Sequence, residues 1–226
     1  MNFMEDIRAA VRIGLASARA NVVPMVVLWV MAGVLVGAYY LLDPFREMLE
    51  PVAEWHRAWG WRSAFVSQAI FCGVLPGFFL LAFRSIRPPR PLLTILVQTL
   101  WCGFFGVWCN ELFRLMAQAF GDEACVSTVL LKAAIDQFVW TVLVIAPANA
   151  VFFFWLGRDF SFVRVKRDWP RPFFRRMVLP NLLPNWIVWI PVSLAVFVFP
   201  FSFQIHMIGI VCTFWTLMCL QIGRRT

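Results

Sequence analysis

Four polar side chains interrupt the otherwise apolar run from Ser127 to Trp155, namely Lys132, Asp136, Gln137 and Asn149. The run is long enough to cross a bilayer as one helix, and a charged side chain near the bilayer centre costs about 2.5–3.5 kcal/mol on insertion scales. Because Lys132 and Asp136 are four residues apart, a helix places them on one face within pairing reach. Two interpretations stay open: a polar lining of a pore, or a neutralised pair that fixes how this helix packs.

Further polar residues in apolar runs also have two interpretations. Gln137 is suited to a hydrogen bond with a neighbouring helix, worth about 0.6–2 kcal/mol in membranes. Asn149 follows Pro147 by two residues, where its amide can satisfy carbonyls that the proline leaves free. His206 in the last apolar run predicts either gating by protonation or hydrogen-bonded packing. Gln98 in the third apolar run completes the candidates for pore lining or polar packing.

The composition defines the class of protein. Of the 226 residues, 62% are hydrophobic and only 14% are charged, whereas soluble domains carry roughly 25% charged and 45–50% apolar residues. We therefore predict an integral membrane protein with a single domain over residues 1–226. The net charge of +8 does not indicate nucleic acid, because the basic residues lie in short loops between apolar runs, where they set membrane orientation.

Sequence motifs for catalysis and metal binding are missing from the chain. The six cysteines and two histidines show no ligand spacing such as C-x-x-C, and there is no G-x-S-x-G, H-E-x-x-H or phosphate-cradling glycine loop. We therefore expect neither an enzyme nor a bound metal or cofactor.

The predicted fold is an all-α membrane bundle of about six apolar segments with an N-terminal amphipathic helix. That helix spans Asn2–Asn21, with Arg8, Arg12 and Arg19 on one face, and would lie in the membrane interface. A transit peptide is the competing interpretation, and Glu5 and Asp6 count against it because such peptides avoid acids. The loop Phe45–Gly60 is expected to hold a second, short amphipathic helix. The six apolar segments are Val22–Leu42, Trp61–Phe83, Leu92–Ala117, Ser127–Trp155, Asn185–Phe199 and Phe203–Ile222.

Prolines and glycines predict where these helices deviate from a straight course. A kink is expected near Gly73 in the second segment. Gly103 and Gly106 share a face of the third segment and would admit a close helix contact. The penultimate segment should break or kink because each of its prolines removes a backbone donor. Those prolines are Pro184, Pro191 and Pro200.

Loop charge predicts the orientation of the segments. Basic residues concentrate on one side of the predicted crossings, above all in the loop Gly157–Pro184, so both termini are expected on the cytoplasmic or matrix-like side. The sequence does not distinguish a bacterial inner membrane from an organelle membrane. The lipid bilayer is the expected partner, and the loop contains candidates for contact with anionic headgroups. These candidates are Arg164, Lys166, Arg167, Arg175 and Arg176.

Two motifs lie in the second half of the chain: Lys132-Ala-Ala-Ile-Asp136-Gln137, and Asn185-Trp-Ile-Val-Trp189-Ile-Pro191, which continues through Pro200 to Phe214-Trp215. The first is similar to a lysine, three residues and Asp-Gln in the Mpv-seventeen family, small integral membrane proteins of peroxisomes and mitochondria. The second resembles the aromatic-rich closing helices of that family. The resemblance covers about residues 130–220.

The sequence also departs from the family pattern. Val142 stands where the family usually has a proline, Ile190 separates an adjacent tryptophan and proline, and a polar cluster is weakened to Ser193, Val196 and Gln204. This suggests a divergent branch, with a bacterial member as one option. The resemblance implies a channel of low selectivity for small solutes or ions, alone or as a homo-oligomer. The alternative is a non-catalytic structural protein that supports membrane organisation or a partner complex.

Overall fold

The computed structural model describes the backbone of residues 22–82 and 88–222, and the side chains there except at residues 24, 183–184 and 215–222. Every regular element in this part of the chain is a helix, which confirms the all-α prediction. The expected helix Asn2–Asn21 lies outside the described residues, as do the basic residues Arg84, Arg87, Arg224 and Arg225.

The described residues form eight helices, α1 to α8. Three segments adopt the wider π register, in which an N–H bonds to the carbonyl five residues back: Ala69–Val74 within α3, Ile135–Ile145 within α5, and Phe174–Val178 directly before α7. The helices are α1 Val22–Leu41, α2 Asp43–Trp59, α3 Trp61–Ala82, α4 Pro91–Phe120, α5 Val126–Leu156, α6 Phe162–Arg167, α7 Leu179–Val196 and α8 Phe201–Ile222.

Within the described chain, three helices are long and apolar enough to cross a membrane: α3, α4 and α5. The number rises to five if α1 with α2, bent by 100°, and Phe174–Leu182 with Asn185–Val196, bent by 51°, each count as one span. α8 adds a further apolar helix, whose side chains are described over Phe201–Phe214. The described part of the chain is therefore all-helical, with three to five helices that are long and apolar enough to fit a membrane. The predicted all-α bundle of apolar helices is confirmed.

Prolines act as predicted at two of the three positions in the penultimate segment. Pro184 stands at the 51° bend, and Pro200 directly precedes α8. Pro191 lies inside α7 and does not break it, because the helix continues to Val196. Helices in a membrane tolerate an internal proline when neighbouring groups satisfy the freed carbonyl. Near Gly73, α3 changes into the π register over Ala69–Val74.

Contacts divide the chain into two compact units. Of the described residues, unit 1 comprises 22–26 and 133–193, and unit 2 comprises 27–82, 88–132 and 194–222. Most of α5, all of α6 and most of α7 therefore belong to unit 1, whereas α2, α3, α4 and α8 belong to unit 2.

In unit 2, Gln68 of α3 is wedged between two glycines of neighbouring helices. A Cβ added at Gly106 of α4 would lie 2.6 Å from the Gln68 Cβ, and one at Gly209 of α8 would lie 2.9 Å from its Nε2. The same Nε2 donates to the carbonyl oxygen of Ile205 in α8. Small residues let helix backbones approach closely in membranes. The close contact predicted for this glycine face of α4 is confirmed.

Candidate functional site: a buried carboxylate cluster

The π register of Ile135–Ile145 gathers polar side chains on one face of α5. The buried side chains of this segment are Asp136, Gln137 and Thr141, all of them polar. In an α-helix, five residues would turn Thr141 about 140° away from Asp136. Bonding to the fifth residue back widens the turn and brings these two positions closer to one face. Unit 1 therefore holds a polar stripe inside an apolar helix.

Asp136, Gln137 and Ser193 of α7 form a closed triangle, the carboxylate cluster. Gln137 Nε2 donates to Asp136 Oδ2 at 2.7 Å and to Ser193 Oγ at 2.8 Å. Ser193 Oγ donates to the same Asp136 Oδ2 at 2.9 Å. The three residues are only 8%, 3% and 2% exposed. Trp186 Nε1 donates to the Gln137 carbonyl oxygen at 2.9 Å and holds α7 against this turn of α5.

Every hydrogen-bond donor in the triangle is paired within it, and some of its acceptor atoms remain unpaired. Both N–H groups of the Gln137 amide and the hydroxyl hydrogen of Ser193 point at members of the triangle. Gln137 Oε1 is buried with no hydrogen-bond partner. Asp136 Oδ1 lies outside the triangle. A ligand of this cluster must therefore be a cation or a hydrogen-bond donor.

Lys132 does not pair with Asp136, and that prediction is wrong. Lys132 Nζ lies 3.8 Å from Asp122 Oδ1 in the loop between α4 and α5, although the lysine side chain is only 2% exposed. Both oxygens of Asp122 also accept from the N–H of Phe201, the first residue of α8. A lysine stem can extend along its helix toward the nearer end, whereas Asp136 lies in the π segment and takes its partners from unit 1.

The remaining predicted site residues are divided between the two units. Asn149 is half-buried on α5 in unit 1; in unit 2, Gln98 is half-buried on α4 and His206 is buried on α8. The structure thus brings Asp136 and Gln137 together directly and adds Ser193 to them. Ser193 was missed as a site residue, although a serine inside an apolar helix was the available signal.

His206 belongs to a second buried group, the histidine cluster of His56, Ser63 and His206 in unit 2. His56 Nδ1 lies 2.9 Å from Ser63 Oγ and 3.3 Å from His206 Nε2. Ser63 Oγ donates to the Gly60 carbonyl oxygen at 2.7 Å. With both rings neutral, one hydrogen on His56 Nδ1 serves both of its contacts. The sequence signal was the amphipathic pattern of α2, which turns Ala53 and His56 inward.

The basic loop between α5 and α7 presents cations beside exposed apolar side chains. On α6, Phe162 and Val163 are 74% and 80% exposed. At about 100° per residue, they share a face with Lys166 and Arg167, which are also exposed. Of the other predicted headgroup contacts, Arg164 and Arg176 are exposed and Arg175 is half-buried.

Asp168 ties this loop together through two ion pairs. Its carboxylate lies 2.8 Å from Arg167 Nε and 3.4 Å from Arg158 Nε. The hydrogen bond from Arg167 holds the pKa of the Asp168 carboxyl below its usual value, and the charges of Arg167 and Arg158 act in the same direction. Both ion pairs lie at the surface and order the loop locally.

No family model, curated protein or solved structure matches the chain. Among the described residues, no group of three or more His, Cys, Asp or Glu side chains could hold a metal ion. The class of the protein therefore rests on its own fold and site: the described residues form an all-α fold with membrane-compatible helices, and the carboxylate cluster is buried between α5 and α7.

Proposed function

We propose that the protein is a channel or pore for small solutes or ions. The observation that carries the proposal is the carboxylate cluster, in which a buried aspartate stands inside the span-length apolar helix α5 and acceptors are left free. Ionisable residues inside membrane segments are expensive and mark substrate or ion pathways. Packing alone does not require a carboxylate at Asp136, because a neutral amide there could hydrogen-bond at a lower desolvation cost.

Flux through liposomes that contain the purified chain tests this proposal. We expect release of potassium or of a small solute above the level of protein-free liposomes, and Asp136→Asn should change flux or cation preference severalfold. Asp43→Asn is the matched control, because Asp43 is exposed on α2 and pairs with Arg46 at 2.6 Å. Wild-type flux equal to that of empty liposomes would contradict the proposal.

A non-catalytic structural role is the second candidate, and the packing of unit 2 favours it. Gln68 lies between Gly106 and Gly209, and its buried amide donates to a backbone carbonyl of a neighbouring helix instead of facing a solute path. A structural protein should show no flux in liposomes, while Gly106→Ala should impair folding or assembly. The two candidates therefore separate in the same flux measurement.

We further propose that the basic loop contacts anionic lipid headgroups. A helix face that mixes Phe162 and Val163 with Lys166 and Arg167 suits an interface in which apolar groups enter the acyl boundary and cations meet phosphates. This combination, rather than charge alone, supports the proposal.

Native mass spectrometry of the chain released from nanodiscs measures this lipid contact. Nanodiscs that contain phosphatidylglycerol should leave anionic lipid bound to the wild type, and Lys166→Gln with Arg167→Gln should reduce it severalfold. Arg46→Gln with Arg57→Gln removes two exposed cations from α2 and is the matched control. Equal lipid retention in both double variants would refute a specific role of the loop.

We also propose that both termini lie on the side of the basic loop. The charge of the loop Gly157–Pro184 supports this orientation. Cysteines placed at Asp122 and Arg167 should then react with impermeant reagents from opposite sides of the membrane. Reaction of both from one side would overturn the assignment.

The two motifs at residues 132–137 and 185–191 support our proposal that the chain is a divergent member of the Mpv-seventeen family. An alignment of relatives of this chain tests the proposal. Asp136, Gln137 and Trp189 should be retained in it, and free variation at these positions would count against membership.

A further inference from the structure

We infer that the carboxylate cluster is a binding site for a monovalent cation, with Asp136 Oδ1 and Gln137 Oε1 as its ligands. The inference rests on the proposed function and names the class of solute that this site takes.

Hydrogen-bond accounting in the triangle excludes an anionic ligand. Its three hydrogens, two on Gln137 Nε2 and one on Ser193 Oγ, are all directed at atoms of the triangle. The atoms that remain free for a ligand, Asp136 Oδ1 and Gln137 Oε1, are both acceptors. A buried acceptor without a partner is costly, and the Gln137 Oε1 is such an atom. A cation beside both oxygens would remove that cost.

Charge leads to the same ligand. A buried carboxylate without a counter-charge is strongly disfavoured and must take up a proton or a cation. The hydrogen-bond partners of Asp136 are the neutral side chains of Gln137 and Ser193, and the nearby Lys132 pairs with Asp122 instead. Two donors, Gln137 Nε2 and Ser193 Oγ, converge on Asp136 Oδ2 and leave Oδ1 for the ligand. The missing positive charge is thus one unit.

The ligand chemistry selects the kind of cation. Carboxylate and amide oxygens are hard ligands that suit alkali and alkaline-earth ions rather than thiophilic metals. Divalent ions are usually held by six or more oxygens, often from several carboxylates, whereas this cluster offers a single negative charge. Sodium or potassium therefore fits the cluster best.

Cation-dependent thermal stability of the purified full-length chain tests the inference without measuring flux. At constant ionic strength and pH 7, replacing N-methylglucamine chloride by sodium or potassium chloride should raise the Tm, because a ligand that binds only the folded state stabilises it. Asp136→Asn should abolish the cation-specific rise. Asp43→Asn, which removes an exposed carboxylate, should keep it.

A second variant covers the case in which Asp136→Asn does not fold. Ser193→Ala retains both ligating oxygens and removes the hydroxyl that orients Asp136, so the cation concentration for half-maximal stabilisation should rise roughly tenfold, the effect of losing one hydrogen bond to a charged group. A wild-type Tm that ignores the cation, or a rise unaffected by both variants, would overturn the inference. Stabilisation by acid with no response to sodium or potassium would also overturn it and assign a proton to the site.

The binding assay and the flux assay fail independently. If liposomes conduct but the Tm does not respond to the cation, the cation site is refuted while the channel proposal stands. If the Tm responds and liposomes do not conduct, the cation site stands as a structural site and the channel proposal falls.

Discussion

The carboxylate cluster and the histidine cluster are both groups of three buried polar side chains, and each includes a serine that links two neighbours. In the histidine cluster, Ser63 donates to a backbone carbonyl and lies beside His56, so neutral side chains complete the set. In the carboxylate cluster, Ser193 donates to Asp136, and Gln137 Oε1 remains without a partner. The histidine cluster is thus complete with neutral hydrogen-bond partners, whereas the carboxylate cluster keeps an acceptor without a donor.

This difference separates packing from binding. A complete polar cluster stabilises the helices that it joins and has nothing left to offer a ligand. A polar cluster with an unpaired acceptor is less stabilising, but it can bind a ligand that supplies the missing donor or positive charge. Unit 2, which contains the histidine cluster and the glycine contacts, should therefore govern stability. The carboxylate cluster in unit 1 should govern the response to solutes.

The largest expected effect is on the packing of unit 2. Gly106→Val should destabilise the protein by about 3 kcal/mol or more, because its Cβ would approach the Gln68 Cβ to 2.6 Å. Gly33→Val is the matched control on α1, where an added Cβ meets nothing within 4 Å. Thermal unfolding in detergent measures both. Equal stability of the two variants would mean that the glycine contact does not support unit 2.

The next effect concerns the buried lysine. Asp122→Ala should destabilise the protein by about 2 kcal/mol, less than a fully buried pair would show because Asp122 is 41% exposed. Adding Lys132→Met should recover much of the loss, since no uncompensated ammonium remains. Glu123→Ala, an exposed neighbour in the same loop, is the control and should be close to neutral. An additive double variant would rule out coupling between Asp122 and Lys132.

The same substitution in the two clusters gives a direct comparison. Ser63→Ala should cost about 1–2 kcal/mol of stability, because the polar nitrogen of His56 loses a partner. Ser193→Ala should cost a similar amount in the absence of sodium, because Asp136 loses a donor and one N–H of Gln137 loses its acceptor. Unfolding measured with and without sodium separates them: only Ser193→Ala should alter the cation response. An unchanged cation response in Ser193→Ala would contradict the assignment of the two clusters.

The smallest effect is expected at the surface of unit 1. The pKa of Asp168 is lowered in the folded chain. Its ion pairs therefore stabilise the loop fully above the usual carboxyl pKa of about 3.9, and this stabilisation is lost as the pH falls through the lower pKa of the folded chain. Hydrogen exchange in residues 157–173, corrected for intrinsic rates, should therefore rise in this acidic range. Asp168→Asn should show the raised exchange at every pH. Exchange in the wild type that is flat between pH 6 and 2 would contradict this role of the pairs.

Individual helices show how far sequence patterns reach. Five of the six apolar segments agree with helix bounds to within a few residues, and the loop after α1 holds the amphipathic helix α2, as expected. The penultimate segment is the exception, because its helix begins at Leu179 and includes Pro191. The sequence shows where a proline removes a backbone N–H donor. Whether the helix tolerates the carbonyl left without that donor depends on the groups packed around it.

The sequence alone determined the helical class, the apolar lengths and the presence of an acid inside a span, because hydrophobicity and helical periodicity are local properties of the chain. The partner of each buried charge was decided by the tertiary structure. A spacing of four residues favoured an ion pair between Lys132 and Asp136. In the structure, Lys132 pairs with Asp122 instead, and Asp136 accepts a hydrogen bond from Ser193. The π segment buries Thr141 together with Asp136 and Gln137. Hydrogen bonds between residues distant in sequence depend on which helices meet, and no local pattern encodes that meeting.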